Sequence, residues 1–178
     1  MVITGRKPRN ERLVNIMSVI ARKRKESKFK VLDNAENLKR AMIRLRQENY
    51  GIHDIFEPVR QPYRIAGKER NSQQYFLFLK DRANKISEMT DRLIFLINQA
   101  NSIYPTTLHE LEKRRDIQND AIGCCTFILN QMQTINDIYD IDLNLFCECL
   151  DLLDEQLRLL KRWRQSDNKI RHKLEGDR

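Results

Sequence analysis

Four cysteines, three histidines and several clusters of basic residues are the side chains through which this chain could do chemistry. Cys124 and Cys125 are adjacent, and Cys147 and Cys149 form a C-x-C pair, so four thiolates might be asked to make a tetrahedral zinc site. Helical arithmetic opposes it. If the segments carrying the two pairs form a hairpin turning near residue 141, residue 124 faces about 158 and residue 149 faces about 133, an axial offset of roughly 13 Å at 1.5 Å per residue. The cysteines therefore read as small apolar fillers on core helices, and no metal or other cofactor is expected. His53, His109 and His172 fall in a connector, a first helical turn and a tail. No Ser, Cys or carboxylate stands at a recognisable spacing beside them, so neither a triad nor a metal centre can be assembled. The carboxylates read as salt-bridged helix faces rather than an acid/base pair. With no nucleophile motif and no glycine-rich phosphate loop, the chain is expected not to be an enzyme.

What remains is cationic, and unevenly so. The formal net charge is +8. Residues 1 to 30 hold ten Lys and Arg against two acids, residues 31 to 157 hold fifteen against twenty, and residues 158 to 178 hold eight against three. An acidic middle with basic ends favours a polyanionic partner, because multivalent basic surfaces displace condensed counterions from nucleic acid. The candidate contacts are Arg22, Lys23, Arg24, Lys25, Lys28 and Lys30 near the start, Arg114 and Arg115 in the interior, and Lys161, Arg162, Arg164, Lys169, Arg171 and Lys173 near the end. Arg114 interrupts an apolar stripe. It belongs either to a bundle end open to water, paired with Asp167, or to a surface meeting RNA phosphates or a neighbouring subunit. Trp163, set among basic residues, packs over the last core layer or stacks on a base.

An anionic membrane is the rival polyanion, but the N-terminal segment offers Leu13, Val14, Ile16, Val19 and Ile20 without an aromatic anchor. No signal-like apolar stretch follows the basic start, and the longest interior apolar run is Leu93 to Ile97. Together with cysteines that form no secreted disulfide framework, this points to the cytoplasm and to no membrane partner.

These residues must be carried by helices. Gly is 5 and Pro 4 of 178 residues, and 33% of the chain is charged, a composition that suits an all-α protein. Four segments show sustained steps of three and four. The first runs from about Phe29 to Glu48, with Leu32, Ala35, Leu38, Met42 and Leu45 on one face, and stops at Asn49-Tyr50-Gly51. A connector holding Pro58, Pro62 and Gly67 follows. The second runs from about Arg70 to Ile103 and ends before Pro105. The third opens with Thr107-Leu-His-Glu110, a capping box, and the fourth starts after Asp142 as N-cap. The expected fold is a long antiparallel four-helix bundle over 29–166, with a basic extension at 1–28 and a basic tail at 167–178.

A hairpin of the third and fourth helices puts Arg114 opposite Asn168. The start of the third helix, the close of the second and the basic C-terminus then share one pole. If the first helix runs antiparallel to the second, its start joins them.

Several stretches resemble a known group. They are Met17-Ser-Val with the basic residues after it, Glu26-Ser-Lys-Phe-Lys-Val-Leu-Asp-Asn-Ala35, Gln99-Ala-Asn-Ser-Ile-Tyr104, Lys113-Arg-Arg-Asp-Ile-Gln118 with Ala121, and Leu159-Leu-Lys-Arg-Trp-Arg-Gln-Ser-Asp-Asn-Lys169. Their order and spacing from about residue 17 to 173 resemble the accessory variability determinant of diversity-generating retroelements. The resemblance implies a non-catalytic bundle assembled as a ring-like pentamer with a basic surface. It also implies binding to a reverse transcriptase and its template RNA, or to cDNA or DNA, in support of error-prone copying. Residues 1 to 16 and the length of 49 to 71 depart from the group's pattern. The competing expectation is a DNA-binding or architectural bundle of a mobile element with no polymerase partner.

Overall fold

The computed structural model describes residues 29–52, 72–139 and 141–176, with side chains of the second helix described from residue 76. Residues 1–30 and 31–178 are separate units, and the description below is of the second. Among the described residues the chain is all-helical: α1 (Lys30–Gln47), α2 (Ser72–Ser102), α3 (Leu108–Ile138) and α4 (Leu143–Gly176), with a single turn of 3-10 helix at Asn49–Gly51. The stop of the first helix, the capping box of the third and the cap at Asp142 lie where the sequence places them. The stretch expected as a tail from residue 167 is instead the last turns of α4, and Asp167 within it is fully buried. None of the described helices is long and apolar enough to cross a membrane.

Each helix buries a stripe. α1 contributes Val31, Ala35, Leu38, Met42 and Leu45, α2 Leu79, Ala83, Ile86, Thr90, Leu93 and Ile97, α3 Leu111, Ala121, Cys125, Ile128, Met132 and Ile135, and α4 Phe146, Cys149, Leu153, Gln156 and Leu160. The spacing of three and four keeps each set on one side of its cylinder, so removal of these faces from water drives the helices together. Neighbours are antiparallel. Arg82 of α2 donates to Gln131 of α3 (2.8 Å), and across the α3–α4 hairpin the pairs Glu112–Arg171, Arg115–Asn168 and Asn119–Arg164 share one register. That register lies one residue from the one expected from a turn near residue 141.

The sequence leaves the direction of α1 open, and two cross-helix pairs settle it. Lys39 meets Asp91 and Arg46 donates to Asn84 (2.9 Å), so α1 runs antiparallel to α2. It also runs antiparallel to α4: the Gln156 amide donates to the Val31 carbonyl (3.1 Å), and Arg44, further along α1, pairs with Glu148, an earlier residue of α4. The start of α1 therefore points toward the pole where α3 begins. It reaches only the level of Gln156, so the last five turns of α4 extend beyond it.

After α1 the chain turns through three successive residues with positive φ: Asn49 (50°), Tyr50 (58°) and Gly51 (64°). The left-handed region disfavours a tyrosine. The strain is offset by burial of the Tyr50 ring against Phe146 (centroids 6.4 Å apart), which pushes its hydroxyl up to about 12. The Gly51 carbonyl accepts from the Asp142 amide (3.0 Å), tying this turn to the start of α4, and Ile52 forms an isolated antiparallel bridge with Ile141.

Candidate nucleic-acid interface

The pole where α2 ends and α3 begins is held by a locked loop. The Thr107 hydroxyl accepts from the Glu110 amide (3.2 Å). In return the Glu110 carboxylate accepts from the Thr107 amide (3.2 Å) and from the amide and hydroxyl of Thr106 (2.8 Å each). Those donors hold the Glu110 carboxyl below the usual carboxylate range, the Thr106 amide contributing most. Pro105 is buried and stops α2 from continuing.

Behind this loop lies an ionic cluster. Arg114 pairs with Asp167 (Nη2 to Oδ1, 3.2 Å), its side chain 13% exposed and the aspartate's 1%. The Gln118 amide donates to the other carboxylate oxygen (3.1 Å). Arg114 also donates to the Ile103 carbonyl (3.4 Å), and its guanidinium carbon lies 5.2 Å from the centre of the Trp163 ring. One guanidinium thus joins the end of α2, the start of α3 and the late part of α4. Desolvation raises the Asp167 carboxyl above its ordinary range, while the Arg114 charge and the Gln118 hydrogen bond pull it back. Arg114 is thus paired with Asp167, the partner the sequence suggests, and its guanidinium lies beside the half-buried Trp163.

The other candidate cations of α3 and α4 stand on the helix segments around this cluster. Lys161, Arg162, Lys169 and Lys173 are exposed on α4. Arg115 donates to Asn168 (2.8 Å), Arg164 to Asn119, and Arg171 lies 3.8 Å from Glu112. These three are partly covered but retain donors toward solvent, since a guanidinium carries five. Lys30 is exposed at the first turn of α1, whereas Arg22, Lys23, Arg24, Lys25 and Lys28 lie outside the described residues.

Charge on α4 is sharply divided. Residues 143 to 157 hold Glu148, Asp151, Asp154 and Glu155 and no Lys or Arg. Residues 158 to 173 hold Arg158, Lys161, Arg162, Arg164, Lys169, Arg171 and Lys173 against one acid, the buried Asp167. Asp167 leaves most of that positive charge uncompensated at the surface.

Cys147 and Cys149 lie in the acidic half of α4, and Cys124 and Cys125 near the middle of α3. Cys124, Cys125 and Cys149 are buried and Cys147 is exposed. Burial raises all three buried thiols, Cys125 to about 12 and Cys149 to about 11. Among the described residues no three His, Cys, Asp or Glu side chains stand close enough to hold a metal ion.

One residue at the pole escaped the sequence reading. Tyr104, in the α2–α3 loop, is 87% exposed. The signal was available, because this aromatic lies off every helical stripe, between two helices and next to a proline.

Comparison with protein-family models, with curated proteins and with solved structures finds no match for the chain.

Proposed function

We propose that this chain is a non-catalytic accessory protein that holds RNA by phosphate contacts at the pole where α3 begins and α4 ends, and docks a reverse transcriptase, in support of error-prone cDNA synthesis in a diversity-generating retroelement. The observation that carries the nucleic-acid part is the division of α4 into an acidic half and a basic half, with the only acid of the basic half buried under Arg114. A surface of fixed positive charge attracts a phosphate backbone by counterion release and needs no reacting group. The resemblance of residues 17 to 173 to the accessory variability determinant supplies the polymerase partner and a ring-like homopentamer.

The test is the salt dependence of RNA binding. Log K should fall linearly with log salt, with a slope of roughly 0.7 per neutralised phosphate for a single strand. Replacing Lys161, Arg162, Lys169 and Lys173, all exposed, with Gln should reduce that slope by about 3 if each meets one phosphate. An unchanged slope in a folded variant would remove this pole from the interface.

A further inference from the structure

The cations at the pole read phosphate, which single and double strands share. Two aromatic side chains there offer something a duplex cannot use. Tyr104 is the most exposed large apolar or aromatic side chain among the described residues, at 87%. Apolar surface so open normally belongs to a mobile tip, but this loop is fastened on both sides. The Ile103 amide donates to the Ala100 carbonyl (3.3 Å), the Ile103 carbonyl accepts from Arg114, Pro105 is buried, and Thr106 donates twice to Glu110. Tyr104 is presented to solvent from a fixed base.

Trp163 continues the inner stripe of α4 beyond Leu160, two turns past Gln156, where the contacts of α4 with Val31 lie. Its ring stays partly exposed at that level. Arg114 bridges the two sites, touching the backbone one residue before Tyr104 and lying over the Trp163 ring. Lys113, Arg115, Lys169 and Arg171 stand on the helix segments that flank these positions. A basic rim around aromatic faces is the construction by which proteins hold single strands: phosphates follow the cations and unpaired bases stack on the rings. Paired bases keep their faces inside the duplex.

We propose that the pole where α3 begins and α4 ends is a single-strand site in which Tyr104 and Trp163 stack unpaired bases while Arg114 fixes their spacing. The inference rests on the reading of the pole as a nucleic-acid interface and adds the strandedness of the ligand. DNA and RNA single strands share the stacking chemistry, so either sugar is accommodated.

The chain has one tryptophan, so its emission reports on position 163 alone. The full-length protein is titrated with 20-mers of oligo(dT) and oligo(U) and with a 20-base-pair duplex, following labelled-strand anisotropy for binding and tryptophan emission for stacking. Both single strands should quench the emission at saturation and the duplex should not. Tyr104→Ser, at an open position that leaves the fold intact, should weaken single-strand binding by roughly five- to a hundredfold and change duplex binding by less than about twofold. Tyr104→Phe should restore wild-type binding. Equal affinity for single and double strands, with no quenching and no effect of Tyr104→Ser, would overturn the inference while leaving phosphate binding at the pole intact. Anisotropy unchanged with every strand would overturn both.

Discussion

Removal of either partner of the Arg114–Asp167 pair should be among the most damaging single changes at this end of the protein. Arg114→Met leaves a carboxylate that is 1% exposed with only Gln118 to satisfy it, and Asp167→Asn leaves a guanidinium that is 13% exposed without its counter-ion. Breaking a buried pair by deleting one side costs about 3–5 kcal/mol. The lower end applies to Asp167→Asn, because Arg114 keeps the Ile103 carbonyl and the Trp163 ring. About 3 kcal/mol corresponds to a fall in Tm of roughly 6–12 °C for a chain of this size. The double variant Arg114→Met/Asp167→Leu removes both charges together and should lie within about 2 kcal/mol of the wild type, so the two losses do not add. In Arg114→Met the carboxyl also loses the charge that lowers its pKa, and burial raises it further. The folded state then retains a proton that the unfolded chain releases. Stability of this variant is greatest below the ordinary carboxylate range and falls as pH rises from there through the raised folded value. Thermal and urea denaturation of the four proteins between pH 4 and 8 reads all of these effects. Additive single losses, or a variant that is weakest at acid pH, would refute the claim that one buried pair locks the pole.

Two further expectations concern the turn after α1 and the cysteines. Gly51→Ala would place a methyl 3.0 Å from Leu145 Cδ1 and 3.2 Å from the Asp142 amide nitrogen at a φ of 64°, so it should destabilise by about 1–3 kcal/mol, measured by urea denaturation; a neutral substitution would mean that the turn relaxes freely. Of the four thiols, only Cys147 is exposed, so a thiol reagent at neutral pH should modify one equivalent rapidly and the other three only on unfolding; simultaneous reaction of two or more would contradict the burial of Cys124, Cys125 and Cys149.

The helices and the α3–α4 register were legible in the sequence because long amphipathic stripes, a capping box and a two-step arithmetic of opposed residues leave few alternatives. The pairing of Arg114 with Asp167 was legible for the same reason: a basic residue on an apolar stripe needs a partner near its own level, and the hairpin places Asn168, next to Asp167, opposite it. The continuation of α4 through residues 167 to 176 was not, since a run of charged residues reads as solvated tail unless its one acid is known to be buried. The direction of α1 depended on the connector after residue 52, whose length permits either course, and only the contacts with Asp91, Asn84 and Gln156 decide it. Periodicity assigns meaning to residues on stripes and is silent on Tyr104, for which the sequence offers only its place beside Pro105 between two helices.

Nucleic acid held as proposed sits on the late, basic part of α4 and not along its acidic start. Ultraviolet crosslinking of a bound single-stranded RNA to the full-length protein, followed by mass mapping of the attached peptides, tests this directly. Crosslinks are expected within residues 158 to 173 and at the α2–α3 loop around Tyr104, and none within residues 143 to 157. Crosslinks concentrated on that acidic half of the helix would contradict it.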